Sequence, residues 1–167
     1  MSNLSWQQKL QETLSKPKRS KPSRIAVVGI GNELRGDDIA GTLIADMLQP
    51  VAHNCDRLLV INAGLAPENF TGPLRRFAPH FVLLVDAAQM DEPPGTIRLL
   101  SWQDTVGISA STHTLPPYVL ASYLHNEIGC QVALLGIQPA HTVLGGAVSA
   151  KVQQAIDIVV RDLPQLL

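Results

Sequence analysis

Three residues far apart in the chain, Asp38, Asp86 and His113, have the types that do chemistry together. Two carboxylates and an imidazole make either a ligand set for a borderline divalent ion, with positions left open, or an acid–base set. Asp38 ends the segment Gly29-Ile30-Gly31-Asn32-Glu33-Leu34-Arg35-Gly36-Asp37-Asp38. Asp86 follows the apolar run Phe81-Val82-Leu83-Leu84-Val85, and His113 lies in a polar loop before Pro116 and Pro117. Strand ends along one edge of a parallel sheet are where α/β folds build sites.

Each residue also has an ordinary structural explanation. Asp37 and Asp38 precede a helix, where acidic residues cap and favour the helix dipole. One of the pair suffices for that, which leaves the second available. A carboxylate directly after five apolar residues is placed where burial is costly, so Asp86 should be paired, hydrogen-bonded, protonated or metal-bound; an Asx-turn is the plainest way. His113 is a solvated loop histidine unless Ser109, Ser111, Thr112 or Thr114 orients its second nitrogen, as a metal-ligating imidazole requires. His53, His80 and His125 read as surface residues, and His141, after Gln138-Pro139-Ala140, as a second-rank candidate.

The elements that must position these residues are legible as alternation. Ile25–Ile30, Arg57–Asn62, Phe81–Asp86, Gly95–Leu100 and Gln131–Ile137 read as strands. Helical spacing predicts helices over 38–49 (Ile39, Leu43, Ala45, Met47, Leu48, ended by Pro50), 67–77, 116–128 (Val119, Leu120, Tyr123, Leu124 on one side) and 147–163. Strands apolar on both faces that alternate with helices imply a mostly parallel sheet covered on both sides. The fourth strand has only the short, Pro-rich stretch 87–94 before it, too short for a crossover, so it should be antiparallel and at an edge. Residues 1–23 stand apart as an extension, flexible or a short helix (Trp6, Leu10, Leu14) followed by the basic linker Lys16-Pro17-Lys18-Arg19-Ser20-Lys21-Pro22-Ser23; residues 24–167 form one α/β domain.

Bulk properties narrow the function. The chain has 167 residues, 46% of them apolar and 16% charged, with a formal net charge of −1, which fits one globular domain with no electrostatic footprint for nucleic acid. Aromatics at 4% are too few for a base-stacking platform. No signal-peptide pattern and no membrane-spanning run is present, which sets the expectation of a cytoplasmic protein. Cys55 and Cys130 form no metal-binding or redox pair and read as small buried hydrophobes. Gly29-x-Gly31 is not a dinucleotide fingerprint: Leu34 occupies the third glycine position, and Asn62 stands where an acidic residue belongs. No G-x-S-x-G elbow exists for a serine nucleophile.

Five segments in order then resemble the nickel–iron hydrogenase maturation endopeptidases, of the type that processes the large subunit of formate-hydrogenlyase (energy-converting) hydrogenases. They are residues 29–38, Gly64-Leu65-Ala66-Pro67-Glu68-Asn69, Val85-Asp86-Ala87, Thr112-His113-Thr114-Leu115-Pro116 and Leu135-Gly136-Ile137-Gln138-Pro139. The resemblance implies an α/β/α sandwich around a five-stranded sheet, with Asp38, Asp86 and His113 contacting a metal. Some members carry Glu at the first of these, so Asp38 reaches one methylene less far. It implies an aspartic-type peptidase in which Asp38 and Asp86 are catalytic, and Asn32, Gly36, Asp37, Gly64 and Gln138 bind substrate or support the site. It further implies that a C-terminal extension is removed from the large-subunit precursor after nickel insertion. The nickel is supplied by that substrate and signals its readiness; zinc or cadmium could occupy the same ligands. The rival expectation is a non-catalytic nickel-handling or assembly module that binds the precursor without cutting it.

Overall fold

In the computed structural model, residues 4–15, 23–108 and 115–167 are described. The elements run α1 (Trp6–Ser15), β1 (Ile25–Ile30), α2 (Ala40–Ala52), β2 (Leu58–Gly64), α3 (Thr71–Phe77), β3 (Phe81–Ala87), β4 (Ile97–Ser101), α4 (Pro117–Ile128), β5 (Gln131–Ile137) and α5 (Ala150–Asp162), with short 3₁₀ turns over Gly36–Ile39 and Pro67–Phe70. The strands form one sheet in the order β2-β1-β3-β5-β4. β1, β2, β3 and β5 are parallel, and β4 is the antiparallel edge strand, as its short preceding connection requires.

Both faces are covered. Odd-numbered positions of β1 and β3, such as Val27, Leu83 and Val85, pack under α1, α2 and α5. Even-numbered ones, such as Val28, Val82 and Leu84, pack under α3 and α4. Every residue of β1 and β3 is buried, which is why these strands read as unbroken apolar runs.

Three local expectations change. Pro50, which has no N–H to donate, lies inside the last turn of α2 rather than ending it. The buried residues of α2 are Ala40, Gly41, Thr42, Ile44, Ala45 and Leu48, so Ile44 joins the core while Met47 faces solvent. On α4 the buried residues are Pro117, Leu120, Ala121 and Leu124, and Val119 and Tyr123 are exposed. In both helices the buried face lies about one residue out of phase with the helical spacing of the apolar residues. The N-terminal segment contributes to the core: α1 buries Trp6 and Leu10 against the β4 side of the sheet, and Gln7 donates to Asp162 at the end of α5.

Candidate active site

The chain leaves β1 toward β2 on one side and returns to β3 on the other. The C-terminal ends of β1 and β3 are therefore the topological switch point of the sheet, the crevice where open α/β folds bind ligands. Asp38 and Asp86 both lie there. Asp38 sits in the 3₁₀ turn between β1 and α2, and Asp86 is the penultimate residue of β3.

Close backbone approach brings them together. A Cβ on Gly31 would collide with the Asp38 carbonyl, and one on Gly41 would collide with the carbonyls of Val85 and Ile30. The first turn of α2 thus rests directly on the ends of β1 and β3, and Asp38, just ahead of it, is carried beside Asp86. The backbone of the turn is closed independently: Asn32 N–H donates to Asp38 O (3.1 Å), Asp38 N–H to Arg35 O (3.0 Å), and Gly31 N–H to Gly64 O (3.0 Å). Gly41 carries no sign in the sequence beyond being a glycine near a helix start. It takes over the close helix–strand packing that Leu34 could not provide.

Asp38 and Asp86 are both buried. The Asp86 oxygens accept no hydrogen bond of ordinary geometry among the described residues. Burial, and then the charge of Asp38, push the Asp86 carboxyl well above the usual carboxylate range, with the Ala87 N–H pulling weakly the other way. Opposite Asp86 on β5 stands Gly136, which leaves room for Met90 to pack over that position. Two neighbouring buried carboxylates attract either a shared proton or a cation.

Asp37 faces elsewhere. Its Oδ2 accepts from the backbone N–H of Ala140 (2.8 Å) and of His141 (3.2 Å) and from Ser149 Oγ (2.9 Å), and its Oδ1 accepts from Ser149 N–H (2.6 Å). Burial alone would raise its pKa, but these hydrogen bonds outweigh it and hold the carboxyl below its ordinary value. Asp37 therefore does not cap the helix that follows it. It binds the N-terminus of α5, whose capping residue is Ser149. Gly36, with φ +53°, packs against the His141 ring.

Asn32 Oδ1 closes an Asx-turn by accepting from Leu34 N–H (2.9 Å). Gly64, at φ +56°, has open space where a Cβ would stand. Gln138 is buried, and its Oε1 accepts from Met90 N–H (2.7 Å) while its Nε2 donates to Gln89 Oε1 (3.0 Å). It organises the connection after β3 that passes the site. His113 lies outside the described residues. α4 packs on the sheet face shared by the even-numbered residues of β3, and its C-terminus feeds β5 at the opposite edge, so its first turn lies toward the Asp38–Asp86 edge. Among the described residues no group of three or more His, Cys, Asp or Glu side chains is placed to hold a metal ion. His125 is tied to Cys130 O (2.9 Å), and His80 accepts from Arg24 N–H (2.9 Å), so neither belongs to the site.

Known proteins share this fold. The family model described as HycI, hydrogenase maturation protease, matches residues 42–164. Hydrogenase 3 maturation protease of Escherichia coli K12 is 37% identical over 111 residues, 66% of this chain and 69% of that one. The crystal structure of a nickel–iron hydrogenase maturation protease HycI from Thermococcus kodakarensis superposes with a TM-score of 0.82 at 30% identity, covering 95% of this chain and 98% of that one. The solution structure of the endopeptidase HycI from E. coli gives 0.73 at 31% identity, covering 85% and 90%. No helix among the described residues is long and apolar enough to cross a membrane. With the family model matching residues 42–164 and the fold in common, the chain belongs to the HycI hydrogenase maturation protease family and is a peptidase.

Proposed function

We propose that this peptidase removes a C-terminal extension from the large-subunit precursor of a nickel–iron hydrogenase of the formate-hydrogenlyase type, in the cytoplasm and after nickel has been inserted. The observation that carries the reading is the Asp38–Asp86 pair, two buried carboxylates at the switch point, with the Asp86 carboxyl pushed above its ordinary range by burial and then by the charge of Asp38. Such a pair fits a divalent cation, which would keep both ionised. Asp38, Asp86 and His113 are the residues that would contact the precursor's nickel. Three ligands leave positions for groups already on that ion, and they bind a free ion only weakly. The nickel therefore comes with the substrate, and zinc or cadmium could take its place.

Asp38, Asp86 and His113 would hold the precursor through its nickel, which when bound would supply polarisation of the scissile carbonyl. Asp38 or Asp86 then accepts a proton from a water molecule as its oxygen attacks that carbonyl carbon. The same carboxylic acid returns the proton to the departing amide nitrogen as the C–N bond breaks. Asn32 and Gly64 lie on the rim of the crevice, and Gly36, Asp37 and Gln138 hold the loops around it. The test is the mass of the precursor C-terminus after incubation with the protein. Loss of a peptide from nickel-loaded precursor alone is the expected result. Binding with no change in mass would favour the assembly-module reading, and equal cutting of nickel-free precursor would refute nickel recognition.

A further inference from the structure

The segment carrying Asp38 is clasped to a loop more than a hundred residues away in sequence. Besides the four hydrogen bonds to the Asp37 carboxylate, Asp37 N–H donates to His141 O (3.1 Å) and Gly145 N–H to Leu34 O (2.7 Å). The joined loops display a strip of apolar side chains. Leu34 (68%), Leu144 (66%) and Val143 (62%) are three of the four most exposed large hydrophobic residues among those described. Exposed apolar groups gathered at one place mark a contact surface.

We propose that Asp37 is a positioning residue, whose carboxylate fixes the 140–149 loop so that Leu34, Val143 and Leu144 form a docking wall for the hydrogenase precursor beside Asp38. The proposal rests on the peptidase reading above. The occupant follows from continuity: the wall is built on the same turn that carries Asp38, so a protein chain bound at Asp38 and Asp86 has this apolar strip beside it. Asp37 has no share in the chemistry. Its carboxylate is consumed by the clasp, and Asp38 is held by backbone bonds from Asn32 and to Arg35 that do not involve the Asp37 side chain. The wall therefore acts on substrate binding and leaves bond cleavage to the carboxylate pair.

Steady-state processing of nickel-loaded precursor tests this with Asp37→Asn, Asp37→Glu, the double variant V143S/L144S and the combination of D37N with V143S/L144S. Asp37→Asn and V143S/L144S are each expected to raise KM by about tenfold while kcat falls less than twofold, the signature of lost binding shared by ground and transition states. The combined variant is expected to show no further rise, because both changes act on one wall. Asp37→Glu, which keeps the charge, should recover part of the loss. V143S/L144S alters only exposed side chains, so its thermal midpoint should equal that of the unaltered protein. An unchanged KM in V143S/L144S, or multiplicative losses in the combination, would overturn the docking wall while the peptidase reading stands. Failure of the unaltered protein to process the precursor would overturn that reading and the wall with it.

Discussion

Asp86 is buried at a cost that the rest of the molecule must carry. Its pKa in the folded chain lies above its value in the unfolded chain, so between the two the native state holds the extra proton. Stability then falls as pH rises through that window. Asp86→Asn removes the charge, and the metal-free variant should melt higher at pH 7 by ~3 °C or more, which corresponds to about 1 kcal/mol for a chain of this size. The difference should vanish toward pH 4, where the unaltered side chain is already protonated; calorimetry at both pH values checks it. The cysteines differ as well. Burial pushes the Cys130 thiol up to about 11, while Cys55 is half-buried. Iodoacetamide at pH 8 should therefore label Cys55 in the folded protein and spare Cys130, as peptide mass mapping would show. Asp86 was legible in the sequence because a carboxylate directly after five apolar residues has few structural uses. The role of Asp37 was not, because its partners Ala140, His141 and Ser149 are brought to it only by the fold.

Among the elements, the seating of α2 on β1 and β3 decides whether the two carboxylates meet. Glycine in a helix normally destabilises by about 1 kcal/mol relative to alanine. At position 41 the sign should reverse, because the added methyl collides with two strand carbonyls that are themselves held in the sheet. Gly41→Ala should lose roughly 3 kcal/mol or more in urea unfolding and should also depress processing, since α2 and Asp38 must move together. The strands and the antiparallel edge were readable because burial on both faces leaves uninterrupted apolar runs and a short connection forbids a parallel return. The helix faces were readable only to within about a residue. In α2, Ile44 and Met47 are both apolar, and only the packed sheet selects Ile44 for the core. The close approaches at Gly31 and Gly41 depend on backbone contacts that periodicity does not register.

At the scale of the whole molecule, the N-terminal helix belongs to the domain. The matched family model begins at residue 42, yet Trp6 and Leu10 enter the same core cluster as β1, α2 and α5. Leu10→Ala should cost about 3 kcal/mol of stability by urea unfolding, as for any fully buried leucine, whereas an appendage would show no change. The helices on both faces hold the sheet as a frame, and at its switch point that frame keeps two buried carboxylates together. Stability and function should therefore separate at Asp86. The most direct test is the intact mass of nickel-loaded large-subunit precursor after incubation with the unaltered protein and with Asp86→Asn, both shown to be folded. The account predicts a C-terminally shortened precursor with the unaltered protein and full-length precursor with the more stable variant. Equal shortening by both would contradict it.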